Sequence, residues 1–182
     1  MKIKQILTVT SMLVLSGLFS ACPEPPDNPP EPYLTMKQLM VSDTSDALDN
    51  RVKRFTFVFH LIDGDGNVGL KTGDTLGVFH PDTIFHYNCF LNLYKVENSD
   101  TSLVELGAPL QYRIPYIEPE GGNKNLEADV YLNVDMTVGT VLPDYETIMF
   151  DLYILDRDFN KSNIIQSPAV PTEGTGVYFP RQ

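Results

Sequence analysis

The chain contains no tryptophan, two cysteines and three histidines in 182 residues. Two cysteines exclude a disulfide-dense scaffold and a cysteine-rich zinc module. His60, His80 and His86 have no metal-ligand spacing, so zinc has no donor set. No G-x-S-x-G elbow, H-E-x-x-H pair or phosphate-binding glycine loop occurs. Glu118 and Glu120 flank Pro119 and precede Gly121-Gly122, which is the composition of a solvated turn rather than of an acid–base pair. No residues stand out as catalytic, and the expectation is a protein that is not an enzyme.

Positive charge is also scarce. Lys and Arg number 13 against 24 Asp and Glu, a net charge of −11 that argues against nucleic acid as a partner. Strongly apolar sequence is confined to Ile6–Phe19, which follows the basic start Met1-Lys2-Ile3-Lys4 and is too short for an ordinary membrane span. Small residues come next, so residues 1–21 read as an export signal. Phe19-Ser20-Ala21-Cys22 resembles the lipobox of bacterial lipoproteins, with Phe19 where that family usually has Leu. The resemblance implies acylation of Cys22 and a membrane link through that lipid.

Residues 22–32, CPEPPDNPPEP, hold six prolines and the acids Glu24, Asp27 and Glu31, which describes a stiff, polar tether. Acids close behind the cysteine resemble the surface-export signal of Bacteroidota lipoproteins, implying the outer membrane or cell surface. Loss of residues 1–21 removes Lys2 and Lys4, leaving eleven basic side chains against 24 acidic ones, a net charge of −13. With Cys22 acylated, Cys89 has no disulfide partner and is expected as a small core residue. Residues 33–182 suit one domain.

No window carries the 3.6-residue period of a long amphipathic helix. Period two is present instead. Phe55, Phe57, Phe59 and Leu61 alternate with Thr56, Val58, His60 and Ile62. The runs 127–136 and 148–155 alternate in the same way. Weaker strand candidates are Leu34–Val41, His86–Val96, Ser102–Leu106, Leu110–Ile117 and Asn163–Ser167, with Val177-Tyr178-Phe179 as a last edge strand or a frayed end. Short strands separated by Gly and Pro predict an all-β antiparallel sandwich. The long interval Asn67–Phe85 is an irregular excursion of the kind that carries binding function on rigid sandwiches.

Val141–Val170 resembles the last two strands of a fibronectin type III or immunoglobulin-like domain, with Leu142-Pro143 and Tyr145 in the manner of a tyrosine corner. The expected core Trp is missing, and Phe57 or Phe59 would have to replace it. The lipobox, the acidic tether, F-x-F-x-L-x-D-G-D-G-N-x-G and D-x-x-x-N-x-S-N together resemble a group of Bacteroidota lipoproteins with immunoglobulin-like folds and no agreed activity. The resemblance implies fold and location rather than chemistry.

Two loops share D-x-D-x-N-x-[G/S]: Asp63, Asp65, Asn67 and Gly69, then Asp156, Asp158, Asn160 and Ser162. Each follows an alternating strand. If those strands are B and F, the loops emerge at one end as neighbours. Their carboxylates and amides match the oxygen donors calcium takes, although the EF-hand spacing fails at Val68 and Lys161 and only Asp74 occupies a distal acidic position. Ordinary turn chemistry explains the same residues without an ion.

Sugar binding would need flat aromatic platforms, and without Trp these would come from Tyr87, Tyr94, Tyr131 and Tyr153. The expected role is a lipid-anchored, non-catalytic binding or scaffolding module of the bacterial envelope. The alternative is a glycan-binding accessory protein for polysaccharide uptake.

Overall fold

A computed structural model describes residues 28–98, 100–119, 124–139 and 145–181. Its strands are β1 (Tyr33–Ser45), β2 (Arg51–Asp63), β3 (Cys89–Glu97), β4 (Asp100–Leu103), β5 (Leu110–Tyr112), β6 (Leu126–Thr137), β7 (Thr147–Ile154), β8 (Ile165–Gln166), β9 (Val170–Pro171) and β10 (Gly176–Tyr178). Helical structure among the described residues is limited to two 3₁₀ turns, Gly77–Phe79 and Ile84–His86. No helix among them is long and apolar enough to cross a membrane. Cys22, Glu120 and Leu142-Pro143 lie outside the described residues.

The strands pair antiparallel in two sheets, as expected for an all-β sandwich. One sheet has the order β10-β1-β2-β6. The other has the order β4-β3-β7-β8, with β5 also on β3 and β9 also on β7. Period-two patterning dictates the layering, because one face of each long strand is apolar. Phe55, Phe57, Phe59 and Leu61 of β2 are fully buried, as are Ile148, Phe150, Leu152 and Ile154 of β7. The Phe150 ring joins the two sheets, 5.1 Å from Phe55 and 5.2 Å edge-on from Phe57. Phe57, one of the two residues expected to stand in for Trp, thus shares the core centre with Phe55 and Phe150. Cys89 is buried and free.

Side-chain amides close the seams between elements. Asn163 accepts the Leu34 N–H at 2.7 Å and donates to the Leu34 carbonyl at 2.9 Å, fastening β1 to the connection after β7. Asn88 does the same for Ile114, accepting at 2.6 Å and donating at 3.1 Å. Both satisfy backbone groups that the sheets leave unpaired.

Several boundaries differ from the sequence reading. The strand expected over Leu110–Ile117 stops at Tyr112 because the next residues turn to the excursion: Leu70 N–H bonds Ile114 O at 2.9 Å and Ile117 N–H bonds Val68 O at 3.2 Å. His86 belongs to a 3₁₀ turn, so β3 begins at Cys89. The run Asn163–Ser167 contains only the two-residue β8, and Gly176–Tyr178 pairs with β1 as a true edge strand.

Candidate cation site and loop end

Asp63 is the last residue of β2, and Asp156 follows β7 by two residues. β2 and β7 lie in opposite sheets but end on the same side, so their loops meet. The Asn67 amide donates to Asp158 across the gap at 2.9 Å and to Asp65 within its own loop at 3.0 Å. One carboxylate oxygen from each of Asp63, Asp65 and Asp156 lies within 4.8 Å of the others, the one acidic grouping of this kind among the described residues.

The hydrogen bonds in the two loops are unequally distributed. Asp156 is well bonded within its own loop: one oxygen accepts the N–H groups of Asp158 and Asn160, and the other accepts the Asn160 amide alone, all at 2.8 Å. Asn160 therefore shapes the turn around Asp156 instead of facing the first loop. Among the described residues Asp63 accepts the Asn67 N–H at 2.9 Å, and its carboxyl lies against that of Asp65. Its Oδ1, together with Asp65 Oδ1 and Asn67 Oδ1, is buried with no hydrogen-bond partner among the described residues. Three such acceptors in one loop are unusual, because buried polar atoms are nearly always paired.

Burial pushes the Asp63 carboxyl up to about 7; the Asn67 N–H opposes this, and the charges of Asp65 and Asp156 add to it. Asp156 is raised chiefly by burial, against its bonds from Asn160 and Asp158. Full charges within 4.8 Å repel by about 3 to 4 kcal/mol per pair at an effective dielectric near 20. No described lysine or arginine bonds to the trio. Arg157, between Asp156 and Asp158 in sequence, pairs instead with Asp74.

That pair fastens the excursion. Arg157 also lies 5.5 Å from the Phe79 ring centre and 5.8 Å from that of Tyr116. Phe159 packs on Phe85 at 4.3 Å and Phe79 at 6.1 Å. Arg113 donates to the carbonyls of His86, Lys71 and Asp74. Leu76, Val78 and Ile84 remain more than half exposed on this braced segment. The sequence marked the excursion by its length alone; its clasp joins residues 83 positions apart, which no local pattern reveals. The start of the domain docks here too, through the Gly64 N–H to the Pro29 carbonyl at 2.9 Å.

Tyr94 and Tyr153 share the outer face of the second sheet, where Tyr94 pairs with Met149 and Tyr153 with Phe90, while Tyr131 and Tyr87 lie elsewhere. Tyr131 is exposed on β6, in the other sheet from Tyr94 and Tyr153. Tyr94 donates its hydroxyl to Asp151 at 2.8 Å. Tyr153 stacks on Phe90 at 5.1 Å, with Lys161 Nζ 3.8 Å above its ring. Tyr87 borders His86 just after the excursion. His60 bridges Asp129 and Glu127 on the outer face of the first sheet.

Comparison of the chain with protein-family models, curated proteins and solved structures finds no match.

Proposed function

We propose that the chain is an exported lipoprotein, acylated at Cys22, that serves as a non-catalytic binding or scaffolding module at the bacterial outer membrane or cell surface. The observation that carries the binding role is the braced excursion, which holds Leu76, Val78 and Ile84 in solvent at 79%, 53% and 64% exposure. Apolar side chains held out by a fastened loop are characteristic of interaction surfaces. Pairing order supports an immunoglobulin or fibronectin type III reading, with β1, β2 and β6 as strands A, B and E and β3, β7 and β8 as C, F and G. β10 on the edge of β1 is an addition to that scheme.

Glycan binding is the second reading, favoured by the near-parallel Phe90–Tyr153 stack, whose planes meet at 15°. Capture from envelope extract separates the two. A protein retained by the chain and lost with the triple change Leu76→Ser, Val78→Ser, Ile84→Ser supports the first. Retention on a glycan array, abolished by Tyr153→Ala, supports the second.

A further inference from the structure

We infer that Asp63, Asp65, Asn67 and Asp156 form a calcium site that ties the end of β2 to the loop after β7. This goes beyond the binding role and holds whether or not the chain is lipid-anchored. Two independent observations converge on it. Three carboxylate oxygens lie within 4.8 Å of one another. Oxygens sharing a calcium ion at 2.3–2.6 Å cannot be more than about 5 Å apart, so every pair in the trio falls inside the span of a common ion. Separately, Asp63 is fully buried and its Oδ1 has no partner among the described residues.

A shared proton is the competing way to relieve this cluster. A proton between Asp63 and Asp65 would satisfy a carboxylate pair, yet it would supply nothing to Asn67 Oδ1. That oxygen is buried and without a partner among the described residues as well, and its orientation is fixed because the amide nitrogen is committed to Asp65 and Asp158. A cation accommodates carboxylate and amide oxygens alike. The donors are all oxygen, with neither imidazole nor thiolate among them, which matches a hard cation. Calcium accepts this irregular arrangement, whereas magnesium demands near-octahedral geometry and keeps several waters.

The test uses the full chain, purified in detergent and stripped with chelator. Calcium titrated by calorimetry is expected to bind at one ion per chain. At a hundred times its dissociation constant, calcium should raise the melting midpoint by about 5 °C or more. Asp63→Asn and Asp65→Asn should each weaken calcium about 100-fold or more, since losing even an outer-sphere partner of a metal ligand costs 10- to 100-fold. Both should still melt cooperatively in chelator, so a failure to fold is told apart from a failure to bind. The inference is overturned if the folded wild-type chain takes up no calcium at millimolar concentration, or if Asp63→Asn keeps the full response. An equal response to magnesium overturns the calcium assignment. Loss of envelope binding with calcium uptake intact bears on the proposed role alone.

Discussion

Gly66 shows how narrowly the first acidic loop is built. Its φ is +64°, and an added Cβ would run into the backbone carbonyl of Lys124 and the ring of Pro119. Both the left-handed conformation and the close approach require glycine. Gly73, a few residues on, has nothing near its missing side chain and no such φ. Gly66→Ala is therefore expected to cost about 2 kcal/mol or more, while Gly73→Ala stays within about 0.5 kcal/mol. Urea unfolding of the two variants beside the wild type reads both numbers. The composition D-G-D-G-N announced a turn at these positions, but only the fold supplies Lys124 as the neighbour. Likewise the acids were legible as oxygen donors and the turn bonds to Asp156 are local, whereas the contact from Asn67 to Asp158 and the gathering of the three carboxylates depend on the meeting of the two loops.

At the scale of elements, legibility followed length and local period. β2, β6 and β7 alternate over eight or more residues, and one buried face was readable in each. β8 and β9 have two residues apiece, too few to carry a period; the pairing partner decides them. The run after Tyr112 alternates like a strand yet abandons β3 for the excursion, since alternation specifies a face and not a neighbour. The excursion itself is held by the Asp74–Arg157 clasp. Arg157 holds the Asp74 carboxyl below its ordinary value of 3.8, aided by the Lys71 N–H and opposed by burial. A depressed carboxyl contributes stability that is fully present above its unfolded value and is lost as pH falls through the folded one. Asp74→Asn should thus cost about 1 kcal/mol at pH 7. The gap between variant and wild type should narrow steadily below about pH 4. Denaturant midpoints at pH 7, 4 and 3 check both statements, and a gap independent of pH would sink the assignment to this pair.

For the whole molecule, the two ends of the sandwich differ in kind. One gathers the acidic loops, the excursion and residues 113–119; the other carries the Asp46–Asn50 turn, closed by Asp46 accepting the N–H groups of Leu48 and Asn50 at 2.9 Å. Single cysteines at Leu76 and Leu48 sample one end each, and the buried Cys89 does not compete for label. In intact cells expressing the chain, and with the proposed lipid anchor in place, an impermeant maleimide is expected to modify Leu48→Cys readily and Leu76→Cys at least several-fold more slowly. Equal rates in cells, as in detergent, would contradict that expectation.

The reason lies in the Gly64–Pro29 bond. It brings the chain into the domain beside the acidic loops, and the six residue steps from Cys22 to Asn28 can reach no further than about 20 Å. If Cys22 carries the proposed lipid, the domain would stand head-down. Its loop end would then overlook the bilayer across a clearance no taller than a small protein, while its plain end would face outward. On that reading, whatever occupies the loop end would have to be thin enough to enter the gap from the side, or be part of the membrane surface below it.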